Sequence, residues 1–340
     1  MTRPVPASRE SASSAPVYSD LGPERVLDAV DGVGLRCDGS LLQLNSFENR
    51  VFLLGLDDGQ QVVAKFYRPG RWSDEAILEE HAFCLELARR EIPAVPPLEF
   101  GGRTLHRAQG HRFALFHRAR GRAPELEDEA TLEWLGRFLG RIHAVGQADA
   151  YRVRPALDPQ TFGVDSRDWI AGSDWLPAEL RQAWLAASAQ ALDGVRQAWE
   201  RAAPVRSLRL HGDCHLGNLQ WSEQGPYFLD FDDSRSGPAV QDLWMLLAGE
   251  PAQAQRQLDA LLRGYRVFRD FDPRELQLLE ALRTLRLLHY SAWIARRWQD
   301  PAFPAAFPWF GDARYWEQRV LELREQVELM RQPALHAGAA

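Results

Sequence analysis

The sequence predicts an α+β chain, with a β-rich first third and a mostly helical remainder. Three features predict it: alternating apolar runs around a hairpin turn between 41 and 67, helical periodicity that dominates after Arg122, and one loop-and-hairpin insert at 209–233. A chain of 340 residues is too long for one small domain and fits a two-lobed protein or one large domain.

Residues 1 to about 20 are rich in Ser, Ala and Pro and read as a mobile tail. Val26–Val30 suggest a short helical turn. LLQLNSFENRVFLLGLDDGQQVVAKFYRP, from Leu41, reads as strand, polar loop, strand, tight turn, strand. Asp57-Asp58-Gly59 is a hairpin signal between the apolar runs Val51–Leu56 and Gln61–Tyr67. A helix follows from Ser73, its N-cap, to about Arg90. Asp74 and Glu75 suit its first turn, and Pro93, Pro96 and Pro97 stop it. Strands are expected at Leu98–Leu105 and His111–His117, then a connector near Phe116–Gly121. Helices are expected over Leu132–Val145, Leu176–Arg201, Gln253–Phe268, Pro273–Trp298 and Tyr315–Met330. Between the second and third lies RLHGDCHLGNLQWSEQGPYFLDFDD, read as loop, short strand, turn, short strand. The end after Pro333 is small-residue and expected to fray.

Lys+Arg number 40 against 47 Asp+Glu, a net charge of −7, with 45% hydrophobic and 26% charged residues. Those are ordinary globular values and rule out global disorder. The acidic balance argues against nucleic-acid binding, which needs a basic face. No run of about 18 apolar residues suggests a membrane helix, and the N-terminus lacks an apolar signal core. Cys37, Cys84 and Cys214 are far apart, without zinc or disulfide spacing, which points to a reducing cytoplasm. One bias is sharper. Of the 40 basic residues, 39 are Arg and Lys65 is the one Lys. A position that keeps Lys against such a drift needs a compact ammonium on a slim stem rather than a planar fork.

Asp213 lies in a tight loop flanked by Gly, Asn218 ends that loop, and Asp230 follows the short apolar strand Tyr227–Leu229. A hairpin would bring Asn218 and Asp230 to one end of a sheet, a hard-oxygen pair suited to Mg²⁺ shared with substrate phosphates. Asp213 would accept a proton from an attacking hydroxyl. Against this stands the ordinary use of Asp-Gly and Asn as turn formers. Lys65 sits in a strand of alternating exposure and is placed to meet α- and β-phosphates. The helix after Ser73 offers it a carboxylate partner. Glu80 shares a face with Ile77, Cys84 and Leu87 and is the first choice, Glu79 the fallback. In the loop Asn45–Asn49, which lacks Gly, Ser46 and Asn49 are candidate phosphate donors, and Phe116 marks backbone available to a flat base. For Cys214, packing in a tight loop is weighed above redox sensing.

These residues resemble the protein-kinase-like fold of the aminoglycoside and choline phosphotransferases, and within it a bacterial type of Ser/Thr kinase active under stress. The match runs from about Leu21 to Pro333 and is carried by LNSFENRVF, VVAKFYRPGRW, ILEEH, RLHGDCHLGN, FLDFDD, GPAVQDLWMLL and DPAFPAAFPWF. The HGD….N block marks the superfamily, and the last two segments are narrower. The resemblance implies a two-lobed protein-kinase-like fold: a small antiparallel β-rich ATP-binding N-lobe with one helix at 21–117, and a larger, mostly helical C-lobe at 118–333. It implies Asp213 as catalytic base, Asn218 and Asp230 as Mg²⁺ ligands, Lys65 on the ATP phosphates and paired with Glu80, and Asp242 as a buried structural acid behind the catalytic loop. A Gly-rich loop, an HRD and an APE segment are missing, so the binding of a polypeptide is not legible.

The expected activity is therefore transfer of the γ-phosphoryl of ATP, with Mg²⁺, to Ser or Thr hydroxyls of protein substrates, including the chain itself. The expected setting is a cytoplasmic monomer with no nucleic-acid or membrane partner. Two rivals stand beside it: a phosphotransferase acting on small alcohols or aminoglycosides, and an inactive nucleotide-binding scaffold.

Overall fold

The structure is a computed structural model and describes residues 17–223 and 225–338. Most of the expected N-terminal tail lies outside the described residues. Pro23 opens α1 (Pro23–Asp31), which buries Val26, Ala29 and Val30. Then β1 (Cys37–Leu44), β2 (Arg50–Leu56) and β3 (Gln61–Phe66) pair antiparallel, with Gly59 at φ +79° in the turn between the last two. After α2 (Asp74–Arg89), β4 (His106–Ala108) and β5 (His111–His117) complete a five-stranded sheet of order β1-β2-β3-β5-β4.

Register fixes where Lys65 sits. It lies in the central strand, opposite Val51 of β2 and Ala114 of β5. On the other face of β3, Val62, Ala64 and Phe66 are buried, and Phe66 stacks on Phe113 at 5.2 Å. The Lys65 face also carries Tyr67 and Ala114, on which Ile77 of α2 packs. Ser73 Oγ caps α2 by accepting from Ala76 N at 3.2 Å.

One strand expectation is corrected. Within Leu98–Leu105 the one bridge among the described residues is Phe100 with Arg103, while Pro97, just before it, bridges Phe116. Gly101 and Gly102 both have positive φ and fold the run into a turn, so pairing resumes only at β4.

The remaining elements are α3 (Glu129–Gly146), α4 (Asp165–Ala171), α5 (Ala178–Ala202), β6 (Leu208–Arg209), β7 (Leu219–Ser222), β8 (Gly225–Phe228) and β9 (Ser236–Gly237). They are followed by α6 (Val240–Trp244), α7 (Pro251–Tyr265), α8 (Leu279–Arg296), α9 (Ala302–Ala306) and α10 (Ala313–Leu329). The helix expected from Pro273 opens as a 3₁₀ turn, Pro273–Leu278, before α8. The chain forms two compact units. One is built mainly of Asp158–Gln197 and Glu280–Gln332, the other of Leu21–Leu157, Ala198–Leu279 and the residues from Pro333. In the first, Trp184 and Trp316 lie in one core with Phe303 and Phe310.

The second unit holds the sheet, α2 and the loop-and-hairpin insert. There α3 and α7 cross closely, since a Cβ on Gly136 would lie 2.0 Å from Leu261 O. Among the described residues after Pro333, His336 exchanges two hydrogen bonds with the Gln255 side chain, which tethers this stretch rather than leaving it frayed. Among the described residues, no helix is long and apolar enough to cross a membrane.

Candidate active site

The loop before β7 is shaped by a buried acid. Asp242 on α6 accepts from His211 N (2.7 Å, Oδ2) and Gly212 N (2.8 Å, Oδ1), as the buried structural acid was expected to do. His143 of α3 meets Asp242 Oδ2 through Nε2 at 3.0 Å and Tyr265 of α7 through Nδ1 at 2.9 Å. Burial holds His143 below its ordinary value, against the pull of Asp242. The neutral ring then donates from Nε2 and accepts at Nδ1. Thus α3, α7 and α6 together hold the loop. Gly212 is required there: its φ is +88°, and a Cβ would lie 2.2 Å from Asp233 O.

The loop carries Asp213, half-buried, whose Oδ2 lies 3.3 Å from His215 Nε2. Asn218 Nδ2 donates to Asp213 O at 2.9 Å. Asn218 O accepts from Leu229 N at 2.9 Å, one step beyond the Leu219–Phe228 pair of the β7–β8 hairpin. Asn218 and Asp230 therefore stand at the same open end of that hairpin. His211 Nε2 reaches Leu229 O at 2.8 Å and so joins the Asp213 loop to the strand before Asp230.

At Asp230 the backbone turns into the left-handed region, φ 54°, ψ 69°, a conformation that is costly outside Gly, mildest for Asn and Asp, and concentrated at functional positions. Phe231 anchors the turn by packing on His211 (4.4 Å) and on Phe83 of α2 (6.0 Å). The flanking acids then meet Lys65: Nζ is 2.7 Å from Asp230 Oδ1 and 3.3 Å from Asp232 Oδ1. Burial alone would lower the ammonium pKa, but Asp230 and Asp232 outweigh it and hold the value well above the ordinary one.

The expected Lys65–Glu80 pair is not formed. Glu80 is buried on α2 as its spacing implied, but its Oε2 accepts from Arg154 Nη2 at 2.9 Å. Burial raises its carboxyl to about 7, against Lys65 and Arg154. Arg154 was not anticipated. It donates from Nε to Ala76 O and from Nη1 to Asp232 O and Ser234 O, and its guanidinium lies 4.7 Å from the Trp72 ring centroid. Beside it the Glu79 carboxylate accepts from Arg152 N, Val153 N and Arg154 N. One short segment thus straps α2 to the loop after Asp230. No local pattern in the sequence announces such a strap.

Asn49 is buried with both amide atoms engaged, Oδ1 with Arg68 N (3.1 Å) and Nδ2 with Asp232 Oδ2 (3.0 Å). It ties the β1–β2 loop to the FLDFDD segment. Ser46 lies half-buried in that loop, and its side chain makes no hydrogen bond among the described residues. Phe116, half-buried near the end of β5, pairs with Val63 and bridges to Pro97. Asp232 and Arg71 were also missed: Arg71 binds Asp232 and Asp233 and lies near Glu48. The three aspartates of FLDFDD were the available signal.

The oxygens fit a hard divalent cation that takes its remaining ligands from phosphate and water. Asp230 is partly exposed, and the Asn218 amide nitrogen is committed to Asp213 O, leaving the amide oxygen as donor atom. Among the described residues, no cluster of three or more His, Cys, Asp or Glu could hold a metal alone.

Residues 40–279 match the sequence model of the APH phosphotransferase enzyme family. The chain is 41% identical over 323 residues to "Stress response kinase A" of Escherichia coli (strain K12), covering 95% of this chain and 98% of that protein. It is 40% identical over 318 residues to "Serine/threonine protein kinase RdoA" of Salmonella typhimurium (strain LT2), covering 94% and 96%. In fold it is similar to an amicoumacin kinase solved in complex with AMP-PNP, Ca²⁺ and Ami, with TM-score 0.67, 18% identity and coverage of 91% and 94%. A microcompartment-associated aminopropanol kinase follows with TM-score 0.63, 19% identity and coverage of 89% and 99%.

Proposed function

Because this chain belongs to the APH phosphotransferase enzyme family and is an ATP-dependent kinase, we propose that it transfers the γ-phosphoryl of ATP to Ser or Thr hydroxyls of proteins. One observation carries the residue assignment: Lys65 and Asp230, 165 positions apart, meet at 2.7 Å at the hairpin end that also bears Asn218. The protein acceptor is supported by the relatives, of which one is named a serine/threonine protein kinase and others a stress response kinase. A stress setting in a reducing cytoplasm belongs to the same proposal and suits three cysteines that remain thiols.

In this reading Lys65 holds the ATP phosphates as a compact cation, with the β1–β2 loop and Ser46 over them and the backbone around Phe116 beside the base. Asn218 Oδ1 and the Asp230 carboxylate would hold Mg²⁺, which when bound neutralises charge on the phosphates. Asp213 takes the proton of the attacking hydroxyl while His215 fixes one of its oxygens. Asp242 and His211 keep the loop rigid, so Asp213 is held in place before the substrate arrives.

The test is incubation with [γ-³²P]ATP and Mg²⁺. Label on the chain itself or on a Ser/Thr-containing protein, lost in Asp213→Ala, is expected. Label appearing only on small alcohols or aminoglycosides would transfer the assignment to a small-molecule acceptor. Nucleotide binding without turnover would make the chain a scaffold.

A further inference from the structure

Lys65 faces two carboxylates whose circumstances differ. The Asp230 side chain is 48% exposed and is the proposed ligand of the divalent cation. Asp232 is buried. Its Oδ2 is occupied by Asn49 Nδ2 at 3.0 Å and by the Arg71 guanidinium. Its Oδ1 makes no hydrogen bond among the described residues and is turned to the Lys65 ammonium at 3.3 Å, an ion pair without hydrogen-bond geometry. Glu80 is not available for this task, because it is committed to Arg154.

We infer that Asp232 is the positioning residue for Lys65, doing the work the sequence assigned to Glu80. The inference rests on the reading of Lys65 as phosphate ligand and Asp230 as metal ligand. A lysine stem has several rotatable bonds, so its charge stays at one point only against a fixed counter-charge. Asp232 is fixed from two sides, by the β1–β2 loop through Asn49 and by the segment before α2 through Arg71. Asp230 cannot serve both partners equally once it takes a cation, which repels the nearby ammonium. Asp232 then keeps Lys65 neutralised and aimed.

Lys65 is the only lysine in the sequence, so protein grown with [ε-¹³C]lysine gives a single lysine Cε signal. With saturating Mg²⁺ present, so that Asp230 is engaged by the cation, Asp232→Asn is expected to move that signal toward the free-lysine position and sharpen it, while Asp230→Asn leaves it near the wild-type position. The opposite pattern overturns the inference. In kinetics, Asp232→Asn is expected to raise KM for ATP about tenfold, as for one lost charged contact, with the Mg²⁺ concentration for half-maximal activity unchanged. A rise in that concentration instead assigns Asp232 to the cation and overturns it. Lys65→Ala with Asp232→Asn should bind ADP no more weakly than Lys65→Ala alone, and additive losses overturn it. If Asp232→Asn does not fold, Asn49→Ala must displace the lysine signal in the same direction, and an unchanged signal overturns it. A wild type that binds no nucleotide sinks the functional reading, while the lysine signal still decides the pairing.

Discussion

Arg154 Nη2 and Glu80 Oε2 lie 2.9 Å apart with both side chains almost wholly buried, joining the segment after α3 to the middle of α2. Removing one partner leaves the other charge buried and unpaired, which costs more than the pair itself is worth. Arg154→Met is expected to destabilise the protein by about 3–5 kcal/mol. Arg154→Met with Glu80→Gln should recover part of that loss. Urea denaturation of the two variants is the measurement, and equal stability would show the charge to be incidental.

Lys65→Arg keeps the charge but is expected to lower kcat/KM by about 100-fold, since a wide fork does not fit a slot made for an ammonium. The slot is narrow: Nζ sits against Asp230 and Asp232 and 5.2 Å from the Tyr67 ring centroid. Steady-state kinetics with saturating Mg²⁺ checks this, and near-normal turnover would contradict the reading of the arginine bias.

Gly212→Ala places a methyl against Asp233 O in a backbone conformation that already disfavours side chains. The conformation alone costs about 1–2 kcal/mol, and the clash adds to it. A clear fall in melting temperature is expected, with phosphoryl transfer falling further than stability, because the loop bearing Asp213 must shift.

His81 sits between Tyr67 OH and Thr104 Oγ1, each at 2.8 Å. Burial first, then Lys65 and Arg154, lower its pKa to about 3. Both states hold the neutral ring above pH 6.5. Below it the unfolded chain binds a proton that the folded chain refuses, so stability is full above pH 6.5 and is lost as pH falls toward 3. The slope is about 1.4 kcal/mol per pH unit within that window. In His81→Gln that contribution should vanish, and urea midpoints between pH 7 and 4 should fall less steeply than in the wild type.

Much of this was legible without coordinates. Ser73 capped the helix it was expected to cap, because capping is settled within three residues. The β2–β3 hairpin closed at Asp57-Asp58-Gly59, because turn chemistry is equally local. The Leu98–Leu105 strand failed because two adjacent glycines outweighed the apolar run around them.

The pattern of residue types alone determined most of the strands and long helices, the buried face of α2 and the meeting of Asn218 with the strand before Asp230. All of these depend on neighbours a few positions away or across one turn. Which acid holds which base was settled only by the folded chain. Lys65 reaches Asp232 and Glu80 reaches Arg154 across sequence gaps that no periodicity spans. Charges attract without regard to sequence order, so among several buried arginines and aspartates only their spatial arrangement selects the pairs.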